Sequence, residues 1–403
     1  MKVLAVISRV LVGLLFIFSG FVKANDPLGF SYKLEEYYHV FGLNFLSSTA
    51  LYQAMFISVL EMVLGFAVLM GTRMKVTGSL ILGMIIFFTM LTGFTAISNW
   101  FFENPDSGTT KWFAGLFGFD PKKIYYMTDC GCFGEFIKLT PWQSFYKDLI
   151  LLAFIIIIFI RRKHTRSIFS RTMQTNIIVT LSVAFTVFTV YCNMYLPMVN
   201  FLNWQNDNDV ATLITCPPDA PKDSVQNVFI YNVKGVDTEF SYDDMMTGKI
   251  PTDAKFIDRR DKVIIKGCQP KIMGFTMFTK DNVDFKDTML RNNDYQLLVI
   301  SYDLEHARKN GMKKVAELAK EFIEKDGKKV WGLTATTLDD AEKTRHEYGL
   351  IFDFYNTDAK MLKSMIRSNA GLILMKGSVV IDSWPARSIP KAEKIRKLMA
   401  KKN

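Results

Sequence analysis

The chain has 403 residues, of which 49% are hydrophobic and 22% charged, and a formal net charge of +10. Nearly all the long apolar runs fall before residue 200, which excludes a uniformly soluble globule. The excess positive charge sits largely in short loops between those runs, so it reads as an orientation signal and no nucleic-acid partner is needed to explain it.

A hydrocarbon core of about 30 Å takes roughly 20 apolar residues as helix. Runs at 3–22, 51–70, 76–100, 149–160 with its flanks, and 177–199 predict five spans. The first lacks a small-x-small cleavage site, so it reads as an uncleaved helix. The loop after the second span carries Arg73 and Lys75, and the loop after the fourth carries Arg161, Arg162, Lys163, Arg166 and Arg171, both without acids. These read as cytoplasmic. Loops 24–50 and 101–144 mix lysines with Asp26, Glu35, Glu36, Glu103, Asp106, Asp120 and Asp129, and read as external. The alternation puts the N-terminus inside and residues 200–403 outside, as expected in a bacterial inner membrane.

Charges inside spans cost about 2.5–3.5 kcal/mol each on insertion scales unless paired or neutralised. Glu61 lies deep in the second span, Arg9 enters the first span and is placed to reach toward it, and Lys23 closes the other end of the first span. Thr89, Thr92, Thr95, Ser98 and Asn99 form one polar stripe on the third span. One reading is helix packing through Arg9–Glu61 and the stripe. The other is a pathway for protons or a quinone headgroup.

The five cysteines are Cys130, Cys132, Cys192, Cys216 and Cys268. The predicted topology places all of them at or beyond the external edge, where disulfides persist. Cys130-Gly131-Cys132 closes a very small ring, and strained, exposed disulfides are the labile or catalytic ones. This pair is the candidate catalytic site of a thiol–disulfide oxidoreductase; the competing reading has each cysteine paired elsewhere, for example with Cys216 or Cys268. Lys122, Lys123 and Lys138 would favour thiolate. Cys216 and Cys268 sit in turn-like contexts and are read as a structural disulfide or a redox relay, and Cys192 as a buried thiol or a third relay member. No metal-ligand spacing is present among the histidines and cysteines.

Arg9, Gly13, Phe16, Ser19, Gly20, Phe21, Lys23, Asp26, Pro27, Glu61, Gly65 and the Cys130-Gly131-Cys132-Phe133-Gly134 signature together resemble the DoxX-like membrane proteins, with the MauE (methylamine utilisation) branch nearest, over residues 1–165. The resemblance implies a four-helix membrane bundle. It also implies a part in forming or maintaining disulfides of an extracytoplasmic partner protein.

The tail has its own order. Strands are expected at 227–233 and 262–266, a turn-rich link at 247–252, a hairpin at 274–282, a buried strand at 295–302 and an amphipathic helix at 312–325. A strand at 329–335, a helix at 338–348, a hairpin over 372–384 and a closing helix at 392–400 follow. The order and residues 366–380 resemble a membrane-tethered thioredoxin-like domain. Two departures stand out: no cysteine pair lies near Asp303–Arg308, and no proline lies at Asn369 or Ala370.

The expected fold is therefore a DoxX-like helical bundle (1–165) and a fifth span (166–200), then a connecting region (201–270) and an α/β thioredoxin-like domain without thiols (271–403). The expected function is membrane thiol–disulfide redox chemistry through Cys130 and Cys132. The bilayer and an extracytoplasmic protein are the partners, and a quinone is the candidate electron acceptor. The competing function is a non-enzymatic scaffold whose tail binds a partner protein.

Overall fold

The computed structural model describes residues 2–401 apart from 106, 118–119, 121–126, 128–130, 132–133, 135, 164–166, 168, 222–223, 234–235, 242–243, 245–246, 248, 252–253 and 266. Five of its helices are long and apolar enough to cross a bilayer. They are α1 (Lys2–Asn25), α3 (Ala50–Met70), α4 (Met74–Glu103), α6 (Pro141–Arg161) and α7 (Arg171–Met194). Local chemistry sets their ends. Thr140 caps α6 through a reciprocal box with Gln143, with Pro141 in the first turn. Gly71, at φ 71°, closes α3 in the left-handed conformation that glycine adopts freely. The fifth span starts and stops earlier than its apolar run suggests: the Ser170 hydroxyl accepts from the Met173 N–H and starts it, and Pro197 follows its end.

The tightest pairing is α1 against α3, antiparallel, and glycines make it possible. A Cβ at Gly65 would lie 2.8 Å from the Gly13 carbonyl oxygen, and one at Gly20 would lie 2.9 Å from the backbone of Ser58 and Met62. Small residues let helix backbones approach where no hydrophobic effect drives association.

The segment 24–50 is more than a loop. Asp26 accepts from the Gly29 N–H and caps α2 (Pro27–Val40), which begins on Pro27. A 3-10 turn at Asn44–Thr49 follows. Phe30, Leu34, Ala50 and Ala54 bury one another, so α2 lies across the end of α3. The Asp-Pro pair is a readable helix start. A further helix, α5 (Gly108–Phe117), follows α4.

After α7 the chain is stitched to the C-terminal domain rather than tethered loosely. Asp207 N–H and Val210 N–H donate to the Val380 and Ser378 carbonyls, and Trp204 and Val210 enter the domain core. A short helix α8 (Val210–Leu213) leads to an antiparallel sheet of order β2-β1-β3, formed by β1 (Ser224–Val233), β2 (Val236–Ser241) and β3 (Lys255–Ile265). Cys216 and Cys268 are disulfide-bonded across this excursion, with Cα atoms 6.0 Å apart and a sequence separation of 52. Closing a loop of that length removes denatured-chain entropy. The double variant Cys216→Ser/Cys268→Ser is therefore expected to lose about 2–4 kcal/mol of domain stability. Unfolding by urea with and without reductant measures it, and reductant should leave the variant unchanged.

The main sheet has five strands in the order β6-β5-β4-β7-β8. Its strands are β4 (Tyr295–Ser301), β5 (Lys329–Thr334), β6 (Phe354–Asn356), β7 (Gly371–Lys376) and β8 (Val379–Trp384). The first three run parallel, and β7 and β8 antiparallel to their neighbours. Helix α9 (Lys286–Leu290) precedes β4. The others are α10 (Lys309–Glu324), α11 (Leu338–Tyr348), α12 (Ala359–Met365) and α13 (Ala392–Lys401). Every residue of β4 is buried. Leu297 and Val299 face the core under α10, while Leu298 and Ile300 face the one holding Trp204 and α12. Gln296, a buried polar residue in β4, is fully bonded: its amide donates to the Met289 and Gly377 carbonyls, and its oxygen accepts from Trp331 and Asn292. The three residues of β6 and the seven of α12 carry too little periodicity to register in the sequence.

Candidate functional site

Lys23 is the centre of the polar interior. It is 3% exposed, and its ammonium donates to Glu61 at 2.7 Å and to the Ser19 hydroxyl at 2.7 Å. The rings of Phe30 and Phe88 lie 5.5 and 4.9 Å away, adding cation–π attraction in a site shielded from water. A buried ion pair tolerates its desolvation only when remaining donors and acceptors are also met, as Ser19 does here.

Arg9 does not pair with Glu61. Its guanidinium donates to the Val68 and Leu69 carbonyls at 3.0 and 2.9 Å. Because α1 and α3 are antiparallel, Arg9 stands beside the C-terminal end of α3, whose last carbonyls lack helical partners and attract a cation. Glu61 lies about 10 Å further along that helix at 1.5 Å per residue. The expected Arg9–Glu61 contact is thus replaced by Lys23–Glu61.

A second buried carboxylate, absent from the sequence reading, sits beside this pair. Asp148 on α6 is 1% exposed, pairs with Lys147 at 2.8 Å and accepts from the Thr92 hydroxyl at 3.0 Å. A cavity of about 20 Å³ between α1, α3, α4 and α6 is lined by Lys23, Glu61, Lys147 and Asp148 together with Phe16 and Phe88. That is room for about one water among polar partners. Asp148 stands at the edge of the fourth apolar run, next to Lys147, where an acid carries little signal of burial.

The threonine stripe divides its work. Thr89, Thr92 and Thr95 bond back to the carbonyl four residues earlier, while Thr92 also reaches Asp148 and Thr95 meets the Tyr37 hydroxyl at 2.9 Å. Asn99 anchors the cysteine-bearing loop. Its amide donates to the Met127 carbonyl at 2.6 Å and its oxygen accepts the Met127 N–H at 3.0 Å.

Cys130 and Cys132 lie outside the described residues, as do Lys122 and Lys123. Gly131 between the cysteines is described. It has φ 66°, and a Cβ there would press on the Lys33 side chain at 2.9 Å, so both its conformation and its neighbour call for glycine. Gly131 and Gly134 help line a cavity of about 50 Å³ that also touches Lys23, Asp26, Lys33 and Arg367. Lys23 therefore borders both this cavity and the one inside the bundle. Cys216 and Cys268 are in the C-terminal domain and joined to each other, and Cys192 is a free, buried thiol at the end of α7.

Arg367 reaches this cavity from the C-terminal domain. Its Nε donates to both Asp26 carboxylate oxygens at 2.9 and 2.8 Å, across 341 residues of sequence. Nearby, burial pushes the Tyr32 and Tyr302 hydroxyls above the usual phenol range.

These features define a polytopic helical membrane protein carrying an α/β domain. Residues 1–102 match the family model described as methylamine utilisation protein MauE. The matched stretch covers α1 through nearly all of α4, including Lys23 and Glu61, and ends before the cysteine-bearing loop and α6. No curated protein matches the chain.

Proposed function

We propose that this is a membrane thiol–disulfide redox protein, with Cys130 and Cys132 cycling between dithiol and disulfide on the extracytoplasmic side of a bacterial inner membrane. The observation that carries the reading is that Gly131, bonded to both cysteines in sequence, borders a cavity shared with Lys23. Lys23 in turn binds Glu61 inside the bundle. In the oxidising half-cycle, two thiols give up two electrons and two protons to form the disulfide, and a quinone taking both becomes a quinol. In the other half-cycle a substrate dithiol is oxidised to its disulfide, and Cys130 and Cys132 return to thiols. The likeness of residues 1–102 to MauE supports a task in the maturation of exported proteins, in a methylamine-utilisation setting. The strand order and the parallel–antiparallel division of the main sheet support a thioredoxin-like domain. With no cysteine between Asp303 and Arg308, that domain would serve by binding and positioning a partner.

Trapping tests the proposal. Acid quenching of membranes, followed by a mass-tagged maleimide, should show the pair shifting from oxidised to reduced when respiration is blocked. Cys132→Ser should accumulate a mixed disulfide through Cys130 with an exported protein. A pair that never changes state, together with normal export in Cys130→Ser/Cys132→Ser cells, would leave only the scaffold role.

A further inference from the structure

We propose that the C-terminal domain is a latched cap, held on the membrane bundle by the Asp26–Arg367 ion pair, and that releasing this latch opens the cavity beside Gly131. Opening of this latch does not require Cys130 and Cys132 to cycle.

The attachment has a buried polar centre beside a ring contact between Phe136 and Phe201, whose centroids lie 4.7 Å apart. Among the described residues, the two hydrophobic cores of the C-terminal domain contain only residues of that domain and its stitched lead-in, while the bundle's cores contain only bundle residues. The two parts thus fold around separate interiors, and relative motion is the default for parts joined this way. What joins them is a seat at the end of α1. Asn25 donates to the Val199 carbonyl at 2.8 Å and accepts the Val199 N–H at 3.0 Å, fixing the strand of chain that leads into the domain. The next residue, Asp26, takes Arg367. Lys363 places its ammonium 4.2 Å from the Tyr32 ring centroid on α2 and 5.5 Å from that of Tyr302 in its own domain.

Arg367 is delivered by a braced loop between α12 and β7. The Ser368 hydroxyl accepts the Ala386 N–H at 2.9 Å. Asn369 donates to the Asp303 carbonyl at 2.6 Å and accepts from the Ser301 hydroxyl at 2.7 Å. The guanidinium arrives at Asp26 with its side chain 5% exposed. A charge so enclosed depends on its partner, so loss of either half favours the open state. Gly29 leaves the room: a Cβ there would run into the Asp26 carboxylate and lie 2.8 Å from an Arg367 guanidinium nitrogen. Pro197, Val199, Phe201 and Leu202 wall the same cavity, so lifting the domain removes one side of it.

The test is hydrogen exchange on the full chain in lipid nanodiscs, comparing wild type with Asp26→Asn, Gly29→Ala and Arg367→Gln. Asparagine keeps the helix cap while removing the charge, and alanine adds only a methyl. Each variant should exchange amides in 196–202 and 366–370 at least about 10-fold faster, a shift of about 1.4 kcal/mol in the opening equilibrium, with β4, β5, α1 and α3 unchanged. Combining Asp26→Asn with Arg367→Gln should add little to either alone. Wild-type exchange at the seat in all three variants overturns the proposal. Exchange rising equally in β4 and β5 also overturns it, because the pair would then hold the domain's fold rather than its docking.

Discussion

Lys23→Met is expected to lower the stability of the membrane bundle by about 3–5 kcal/mol, the cost of stranding a buried carboxylate, and Lys23→Met/Glu61→Gln to regain most of that loss. The reason lies in the surroundings of the pair. Lys23 and Glu61 have 3% and 4% of their side-chain surface exposed, and the Lys23 ammonium is oriented by Ser19 and two aromatic rings. Removing one partner strands the other away from bulk water without the charge it pairs with. Removing both leaves a neutral amide and an apolar chain that the helices can accommodate. Reversible unfolding in mixed micelles, with purified variants at fixed lipid content, measures both. A single variant within about 1 kcal/mol of wild type, or a double worse than the sum of the singles, would refute the buried-pair account.

Gly65→Val is expected to be more damaging still, abolishing a folded, monodisperse bundle. The obstacle is backbone. A Cβ at Gly65 lies 2.8 Å from the Gly13 carbonyl oxygen and 2.9 Å from the Ile17 nitrogen, neither of which can rotate aside. The α1–α3 spacing must widen, and with it the Lys23–Glu61 distance. Gly83→Ala is the matching control, because a Cβ at Gly83 meets nothing within 4 Å and alanine is the better helix former. Size-exclusion profiles of the two variants in the same detergent decide the matter. A monodisperse Gly65→Val protein would show that the glycine crossing is dispensable.

Much of the architecture was legible because it is written locally. A run of apolar residues long enough for a bilayer, broken by Gly71 or restarted at Thr140-Pro141, specifies a span without reference to any other part of the chain. The apolar run at 295–302 and the Gly377-Ser378 turn likewise announce β4 and the β7–β8 hairpin. Helix α2 is announced by Asp26-Pro27, but its mixed charges and short length give the segment the composition of a loop between spans.

The residues of the candidate site were harder. The isolated acid Glu61 stands out as an expensive group, but depth alone points to Arg9 as its partner. Depth does not say which way a helix is rotated or which carbonyls an arginine finds first. Asp148 follows Lys147 at the edge of the fourth apolar run, a sequence context shared by solvated span ends.

By itself, the sequence determined five membrane helices, a separate α/β domain and the placing of a close cysteine pair in the loop before the fourth span. Each depends on composition over a few consecutive residues. Tertiary structure alone decided that Lys23 neutralises Glu61, that Thr92 on α4 meets Asp148 on α6, and that Arg367 crosses 341 residues to Asp26. Those pairings follow from helix rotation and from the glycine-permitted approach of α1 to α3. Such quantities are fixed by contacts between distant segments and leave no periodic trace in either one.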